Sequence, residues 1–211
     1  MDYQKVKSEY ERLGYNKGWA FMMTPEALLT TAPTVLVGLN PGGDDDNAAW
    51  DSPDGNAYLH GRWRPDGRPT TMQSQVRQIM ATLDLEEAEL FAAQFIPFRS
   101  KRFGDLPRAD EALAFSRRLW AWVLERSPAR LFICMGKDAA GELANLLRAQ
   151  PTDRFKAGWG DLYVERFVSP NGRVVVRLPH PSRFPIFSGD PQDVEIARGA
   201  LRSAARLELE R

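Results

Sequence analysis

Two short turns in this sequence carry the side chains best suited to chemistry. The first turn, GLNPGG at residues 38–43, follows an apolar run and holds Asn40 among glycines and a proline. A catalytic turn would use the glycines to bring the backbone close to a substrate, and it would aim the Asn40 side chain at that substrate. A plain strand-to-helix turn would use the same residues for their geometry alone. This turn by itself leaves both interpretations open.

The second turn, RLPHPSRF at residues 177–184, holds His180 between two prolines. Proline fixes its own φ angle and pushes the preceding residue toward extended conformations, so the direction of the His180 imidazole is restricted. The other histidine of the sequence, His60, lies in a long polar stretch. Taken alone, the second turn also fits a structural histidine in a rigid loop.

The composition narrows the classes of protein to consider. The single cysteine, Cys134, cannot form an internal disulfide, and it excludes zinc or iron–sulfur sites built from several cysteines. The formal net charge of +0 argues against a protein that binds nucleic acid through its overall charge. The 28 basic residues divide into 22 Arg and 6 Lys, with clusters at residues 62–68 and 99–108. Guanidinium groups bind phosphate bidentately, although a GC-rich bacterial genome would produce the same excess of arginine.

The chain shows no sign of a membrane protein. Its first residues, MDYQKVKSEYERLG, are polar and helical in pattern, unlike a signal peptide. No apolar run approaches the roughly 18 residues that a membrane span needs. We therefore expect a cytoplasmic protein, and no obligate protein partner is evident.

Buried strands alternate with amphipathic helices along the chain. Apolar runs predict strands at residues 34–38, 90–98 and 130–136, and alternation around the Asn171-Gly172 turn predicts a hairpin at 161–178. Helices are predicted at residues 1–14, 24–31 (with Thr24 as the N-cap), 71–85, 109–127, 137–149 and 191–209. This order predicts a single domain, residues 1–211, folded as a three-layer α/β/α sandwich around a mainly parallel sheet. It includes an N-terminal helical segment, residues 1–32, and a long loop, residues 43–69, of the kind that is usually functional or disordered.

The predicted fold gathers the polar loops at one edge. In an open parallel sheet, ligands bind where the strands end at their carboxyl side. The loops at that edge are GLNPGGDDD, PFRSKRFGD, GKDAAG and PHPSRFPIF. Because Asn40 and His180 lie in the first and last of these loops, we expect their side chains to face each other across a cavity.

Four segments in this order resemble the uracil-DNA glycosylase superfamily: GLNPGG, LFAAQFIPFRS, LFICMGKDA and HPSRF, spanning residues 34–187. The asparagine in the first motif is similar to the mismatch-specific and single-strand-selective branches. The resemblance implies a DNA glycosylase that needs no metal and no cofactor, acts on an extruded base and is found with the nucleoid. His180 would then donate a hydrogen bond to the oxyanion developing on the base, and Asn40 would position the attacking water.

The resemblance also implies the residues around the base. Backbone groups of residues 38–42 would contact a base carbonyl, and an aromatic ring would stack on the base, with Trp50 ranked before Tyr58. Gln94 stands where the superfamily commonly has an asparagine that reads the base edge. These substrate-binding candidates are Gly38, Leu39, Pro41, Gly42, Trp50, Tyr58 and Gln94.

The DNA-binding candidates lie in the last three loops. By resemblance, Ser182 would contact a phosphate, and Arg183 with Phe184 would wedge into the space that the base vacates; the alternative is a surface turn with Phe184 folded inward. The full set is Arg99, Ser100, Lys137, Ser182, Arg183 and Phe184. Asp44, Asp45 and Asp46 are interpreted as a solvated helix-capping run, with exclusion of wrong bases as a second interpretation.

The departures from the family pattern leave the substrate open. Gln94 would give a pocket of altered depth, so hypoxanthine, xanthine or an enlarged modified pyrimidine in phage DNA are alternatives to uracil. The two motifs contain no lysine, which favours plain hydrolysis to an abasic site over a Schiff-base lyase step. A catalytically silent nucleic-acid-binding module of the same fold is a further alternative. So is a magnesium-dependent nucleotide hydrolase that uses residues 42–46.

Overall fold

A computed structural model describes residues 1–43 and 46–207 of the chain. The helices are α1 (Tyr3–Arg12), α2 (Ala57–His60), α3 (Thr71–Leu83), α4 (Ala109–Arg126), α5 (Lys137–Leu147) and α6 (Pro191–Ala205). The strands are β1 (Trp19–Ala20), β2 (Thr34–Gly38), β3 (Ala48–Ala49), β4 (Leu90–Gln94), β5 (Leu131–Met135), β6 (Gln150–Lys156), β7 (Tyr163–Val168) and β8 (Val174–Leu178). Short 3₁₀ helices span Glu26–Thr30, Glu87–Glu89 and Phe103–Asp105.

The central sheet has six strands in the order β4-β2-β5-β8-β7-β6. β4, β2, β5 and β8 are mutually parallel, and β7 and β6 continue the sheet in antiparallel fashion. β1 and β3 form a separate parallel pair. The four parallel strands therefore end at the same edge, which we call the carboxyl edge, as the sequence predicted.

Helices cover both faces of the sheet because its strands are apolar on both sides. Val35 and Val37 of β2 belong to one hydrophobic cluster, which includes the buried residues of α1, α4 and α5. Leu36, between them, belongs to a second cluster with the buried residues of α3 and α6. Side chains alternate between the faces of a strand, so one apolar run supplies both clusters. The predicted three-layer α/β/α sandwich is confirmed.

Two details at the sheet margins differ from the sequence-based prediction. Strand β6 was not predicted, because almost all of QPTDRFK is exposed and the run lacks apolar alternation. Thr24 was predicted to cap a helix, but the 3₁₀ helix begins at Glu26. The buried Thr24 hydroxyl instead accepts a hydrogen bond from the Ala92 N–H over 3.1 Å, which ties this segment to β4.

Two further predicted segments, the last helix and the long loop, differ from the structure. Helix α6 ends at Ala205, whereas the prediction extended it to residue 209; residues 208 and 209 lie outside the described residues. The long loop at 43–69 contains β3 and the short helix α2, whose first turn is capped by the Asn56 side chain. Of the helices in the described residues, none combines the length and apolar character needed to cross a bilayer.

Candidate active site

The turns that carry Asn40 and His180 leave the sheet side by side. Asn40 lies two residues beyond β2 and His180 two residues beyond β8, and both strands pair in parallel with β5. Strands are spaced by about 4.8 Å, so the two turns begin roughly 10 Å apart. Gly136, directly after β5, lies between them; a Cβ placed on it would come within 3.5 Å of His180 Cδ2. The structure thus brings both side chains to the carboxyl edge, on either side of a glycine.

The amide nitrogen of Asn40 is held by the loop that follows β4. Nδ2 donates to Ser100 Oγ at 2.9 Å and lies within reach of the carbonyls of Pro41 at 3.2 Å, Ser100 at 3.3 Å and Phe98 at 3.5 Å. Within residues 1–43 and 46–207, Oδ1 accepts no hydrogen bond. The half-buried side chain therefore has a fixed orientation in which the oxygen is the atom left for a ligand or a water.

Ser100 occupies a different place from the one predicted. It was expected to contact DNA, but it is only 5 % exposed. Its hydroxyl accepts from Asn40 and donates to the Arg102 carbonyl at 2.9 Å, and its N–H donates to the Pro41 carbonyl at 3.2 Å. Ser100 is therefore a buried support for the first turn. No sequence signal distinguished this role, because Ser100 lies in a loop rich in Arg and Lys that is typical of a surface.

The surroundings of His180 favour a neutral imidazole. Burial lowers its pKa from the ordinary value, and the positive charge of Arg183 acts in the same direction. Nδ1 lies 3.0 Å from Ser182 Oγ. When that hydroxyl donates to Nδ1, the ring proton resides on Nε2, which then becomes the hydrogen-bond donor of the site. Ser182 is exposed, and in this structure its hydroxyl faces the imidazole; its contact with a phosphate stays a prediction.

Gln94 covers the end of β2 instead of lining an open slot. A Cβ on Gly38 would collide with the Gln94 side chain, so glycine is required here by its neighbour. Gln94 is 5 % exposed, and its Nε2 donates to the Tyr58 hydroxyl at 3.2 Å. Its Oε1 is buried and has no hydrogen-bond partner in the described part of the chain. A buried acceptor without a donor is costly unless a ligand supplies one.

The two aromatic candidates for base stacking lie on different sides of the sheet. Tyr58 is buried with the second cluster, and burial raises the pKa of its hydroxyl far above the ordinary value, so this group stays protonated. Trp50 packs at the first cluster, with its ring centroid 5.2 Å from that of Phe21. Its Nε1 donates to Glu26 at 2.9 Å. The structure therefore places Tyr58 beside Gln94 and does not bring Trp50 there.

The remaining residues of the first turn divide into buried and exposed groups. Leu39 packs against the first cluster, and Pro41 is buried. Gly42 is exposed, and its carbonyl accepts a hydrogen bond from Arg99 Nη1 at 2.5 Å. The N–H groups of Asn40 and Gly42 form no hydrogen bond within the described residues, so they are available to a ligand carbonyl. Asp46 precedes β3 and not a helix, so it caps none; Asp44 and Asp45 lie outside the described residues.

The basic DNA-binding candidates surround the carboxyl edge. Arg99 bridges the loops after β2 and β4, and its buried Nε has no partner within the described chain. Lys137 is exposed at the first position of α5, next to Gly136. Arg183 is exposed, and its guanidinium lies 5.3 Å from the centroid of the Phe184 ring. Three arginine or lysine side chains thus flank the turns of Asn40 and His180.

Phe184 folds inward. It is half-buried and packs against the second cluster, while the backbone N–H groups of Arg183 and Phe184 both donate to the His180 carbonyl, at 3.0 and 2.9 Å. This is the alternative arrangement to an exposed wedge, and it leaves Arg183 as the protruding side chain of the turn.

Residues 1–43 and 46–207 contain no cluster of three or more His, Cys, Asp or Glu that could hold a metal ion.

Comparison with known families places the chain in a superfamily. The family model described as "Uracil DNA glycosylase superfamily" matches residues 27–191, which include every strand of the central sheet and both turns. No curated protein matches the chain. The family model covers more than half of the sequence, and its match ends only after the His180 turn. The chain belongs to the uracil DNA glycosylase superfamily.

Proposed function

We propose that this protein is a monofunctional DNA glycosylase, which hydrolyses the bond between deoxyribose and an extruded uracil or other deaminated or modified base. The observation that supports this most is the pair of oriented groups at the carboxyl edge. The Asn40 amide has its nitrogen held and its oxygen available, and the neutral His180 imidazole lies on the other side of Gly136. The Asn40 oxygen can accept a hydrogen bond from a water, and the His180 imidazole can donate one to a departing base.

Asn40 supplies orientation and not proton removal. An amide is a poor general base, but its Oδ1 can accept a hydrogen bond from a water placed near C1′ of the sugar. The C1′–N bond breaks and its electron pair leaves with the base, while the water oxygen bonds to C1′. The proton that this water loses passes to solvent, and the departed base anion takes up a proton from solvent. Fixing Nδ2 through Ser100 means that no reorientation of the amide is needed when the reaction begins.

His180 stabilises the charge that develops on the departing base. A neutral imidazole with its proton on Nε2 can donate to the base oxygen, and a fixed donor in a partly desolvated site is far more effective than one in water. Burial and the charge of Arg183 both favour the neutral form, and the N–H of a neutral imidazole is a very weak acid, so His180 acts as a hydrogen-bond donor and does not transfer its proton.

Gln94 gives the site a preference for a base with a donor. Its Nε2 is engaged by Tyr58, and its buried Oε1 is the atom without a partner in the described residues. Uracil would supply the N3–H at such a position. A cytosine-type base would supply its exocyclic amino group, and this supports a modified cytosine in foreign DNA as the second candidate substrate.

The test is a panel of oligonucleotides, single- and double-stranded, that each carry one uracil, hypoxanthine, xanthine or modified cytosine. We expect the purified protein to generate an alkali-sensitive abasic site with one of these bases in the presence of EDTA. Asn40→Ala and His180→Ala should each abolish the cleavage while retaining the melting temperature.

The competing proposals predict different results in the same assay. A silent nucleic-acid-binding module would bind the oligonucleotides and cut none of them. A magnesium-dependent hydrolase would lose its activity in EDTA. Full cleavage by both variants would exclude the assignment of Asn40 and His180 as catalytic residues.

A further inference from the structure

An exposed tryptophan lies at the carboxyl edge, outside the residues assigned so far. Trp63 is 41 % exposed and belongs to the loop of residues 61–70, between α2 and α3. Helix α3 precedes β4, which is parallel to β2 and begins at the opposite edge of the sheet, so the C-terminus of α3 lies toward that edge and its N-terminus toward the carboxyl edge. Near the start of α3, Gln75 Oε1 accepts from the Phe187 N–H at 3.0 Å, which joins this region to the segment after His180.

The indole of Trp63 is held in place although it is exposed. Its ring meets the buried Tyr58 ring edge to face, with centroids 5.3 Å apart and an interplanar angle of 72°. On another side it lies against Gly61, where a Cβ would come within 2.5 Å of Trp63 Nε1. The Gly61 carbonyl is itself fixed by Gln73 Nε2 at 2.7 Å. The result is an ordered indole with solvent-accessible surface, one aromatic ring further out than the Tyr58–Gln94 pair.

The loop around Trp63 is positively charged. Arg62, Arg64 and Arg68 are all exposed, and Asp66 is the one acidic residue among residues 61–70. Asp66 lies 3.4 Å from Arg64 and 3.9 Å from Arg68. Arg62 makes no ion pair within the described residues and is therefore available to an anion. Aromatic rings interleaved with arginines are the usual surface for unpaired nucleotides, because each base can stack and each phosphate can pair.

We propose that the loop of residues 61–70 binds an unpaired nucleotide of the DNA strand beside the extruded base, with Trp63 stacked on its base and Arg62 at its phosphate. This inference rests on the proposed function for its ligand, DNA, but not on cleavage. The positive charge and the position at the edge where Asn40 and His180 lie favour a nucleic acid over an uncharged or basic protein surface. Tyr58 then contacts both parts of the site: its hydroxyl accepts a hydrogen bond from Gln94, and its ring packs against Trp63.

The test measures binding to single-stranded DNA that carries a non-cleavable abasic analogue, in the His180→Ala background, by fluorescence anisotropy. We expect Trp63→Ala to raise Kd about tenfold and Trp63→Phe to retain most of the affinity, because a phenyl ring can still stack. Arg62→Gln should reduce the slope of log Kd against log salt concentration by about one, because one phosphate contact is lost. Melting temperatures should remain unchanged in all three variants.

The chain offers a matched control in Trp159, which is 42 % exposed in the β6–β7 turn beside Asp161. Trp159→Ala should leave Kd unchanged. Unchanged affinity in Trp63→Ala, or an equal loss in Trp63→Ala and Trp159→Ala, would overturn the proposal. A protein that binds through Trp63 and yet cleaves no lesion would contradict the glycosylase proposal alone, so the two failures are distinguishable.

Discussion

The hydroxyl of Ser100 accepts a hydrogen bond from the Asn40 amide nitrogen over 2.9 Å, in a position that is almost fully buried. The same hydroxyl donates to the Arg102 carbonyl, so its own proton is also fixed. This contact determines which end of the Asn40 amide is left for a water. It connects the loop after β4 to the turn after β2, so the orientation of the Asn40 side chain depends on the position of the loop after β4.

Ser100→Ala should therefore impair turnover more than binding. The substitution removes the shortest of the Asn40 contacts, and a misplaced orienting group can cost roughly 10- to 100-fold in rate. We expect kcat to fall by about that factor with KM little changed, and the free energy of unfolding to fall by about 1–2 kcal/mol. Ser116→Ala is the matched control, because its buried hydroxyl has no partner within the described residues. A normal kcat in Ser100→Ala would refute the positioning role.

The lowered pKa of His180 predicts how activity and stability depend on pH. If the neutral imidazole is the active form, the acidic limb of kcat/KM, which reports the free protein, should lie below the ordinary histidine value of 6.5. Because the pKa is lower in the folded state, this group contributes stability that is present above pH 6.5 and is lost as the pH falls toward the folded value. Arg183→Gln should move the acidic limb upward slightly, since burial is the larger cause. A limb at or above pH 6.5 in the wild-type protein would contradict a neutral, desolvated His180.

Tyr58→Phe should change selectivity among bases. Without the hydroxyl, Gln94 Nε2 loses its 3.2 Å partner and the amide can rotate, so either end can face the base. We expect the ratio of kcat/KM between the best base and the next best to fall by about tenfold, for a loss of about 1 kcal/mol in the free energy of unfolding. The double variant with Gln94→Ala tests the coupling. Fully additive effects of the two substitutions on selectivity would show that Tyr58 does not act through Gln94.

The mainly parallel sheet and the position of the two turns were predictable because they follow from apolar periodicity and from the rule that parallel strands share an edge. Asn40 and His180 could be placed at that edge without any side-chain information. The edge strand β6 could not be predicted, because almost every one of its residues is exposed and its sequence therefore has no hydrophobic pattern. Sequence patterns report burial, so elements that bury little escape them.

The details of the site depended on contacts that the sequence does not encode locally. Trp50 follows the first turn closely, but its ring packs with Phe21 and Trp122 at the first cluster. Tyr58 reaches Gln94 because α2 lies over the end of β4, across 36 positions of sequence. Such pairings are set by how residues 46–69 fold over the sheet.

Substitutions of Phe184 and Arg183 should distinguish a side chain that packs in the protein from one that contacts DNA. Because Phe184 is half-buried against the second cluster, Phe184→Ala should lower the free energy of unfolding by about 1–3 kcal/mol and reduce activity on single- and double-stranded substrates alike. Arg183 is exposed, so Arg183→Ala should keep the melting temperature and lower kcat/KM more on duplex than on single strands. A selective loss on duplex substrates in Phe184→Ala would instead restore it as the wedge.

Lys137 allows simple hydrolysis to be distinguished from a lyase mechanism. It lies at the carboxyl edge, directly after Gly136, which is close to the His180 ring. A lyase mechanism would need an amine to attack C1′ and form a Schiff base that borohydride can trap. The motifs of Asn40 and His180 contain no lysine, and Lys137 is exposed at the start of α5, so we expect no covalent protein–DNA adduct after borohydride treatment of the reaction. Lys137→Ala should keep kcat and weaken DNA binding in proportion to one lost phosphate contact. A trapped adduct that disappears in Lys137→Ala would replace the monofunctional mechanism with a lyase.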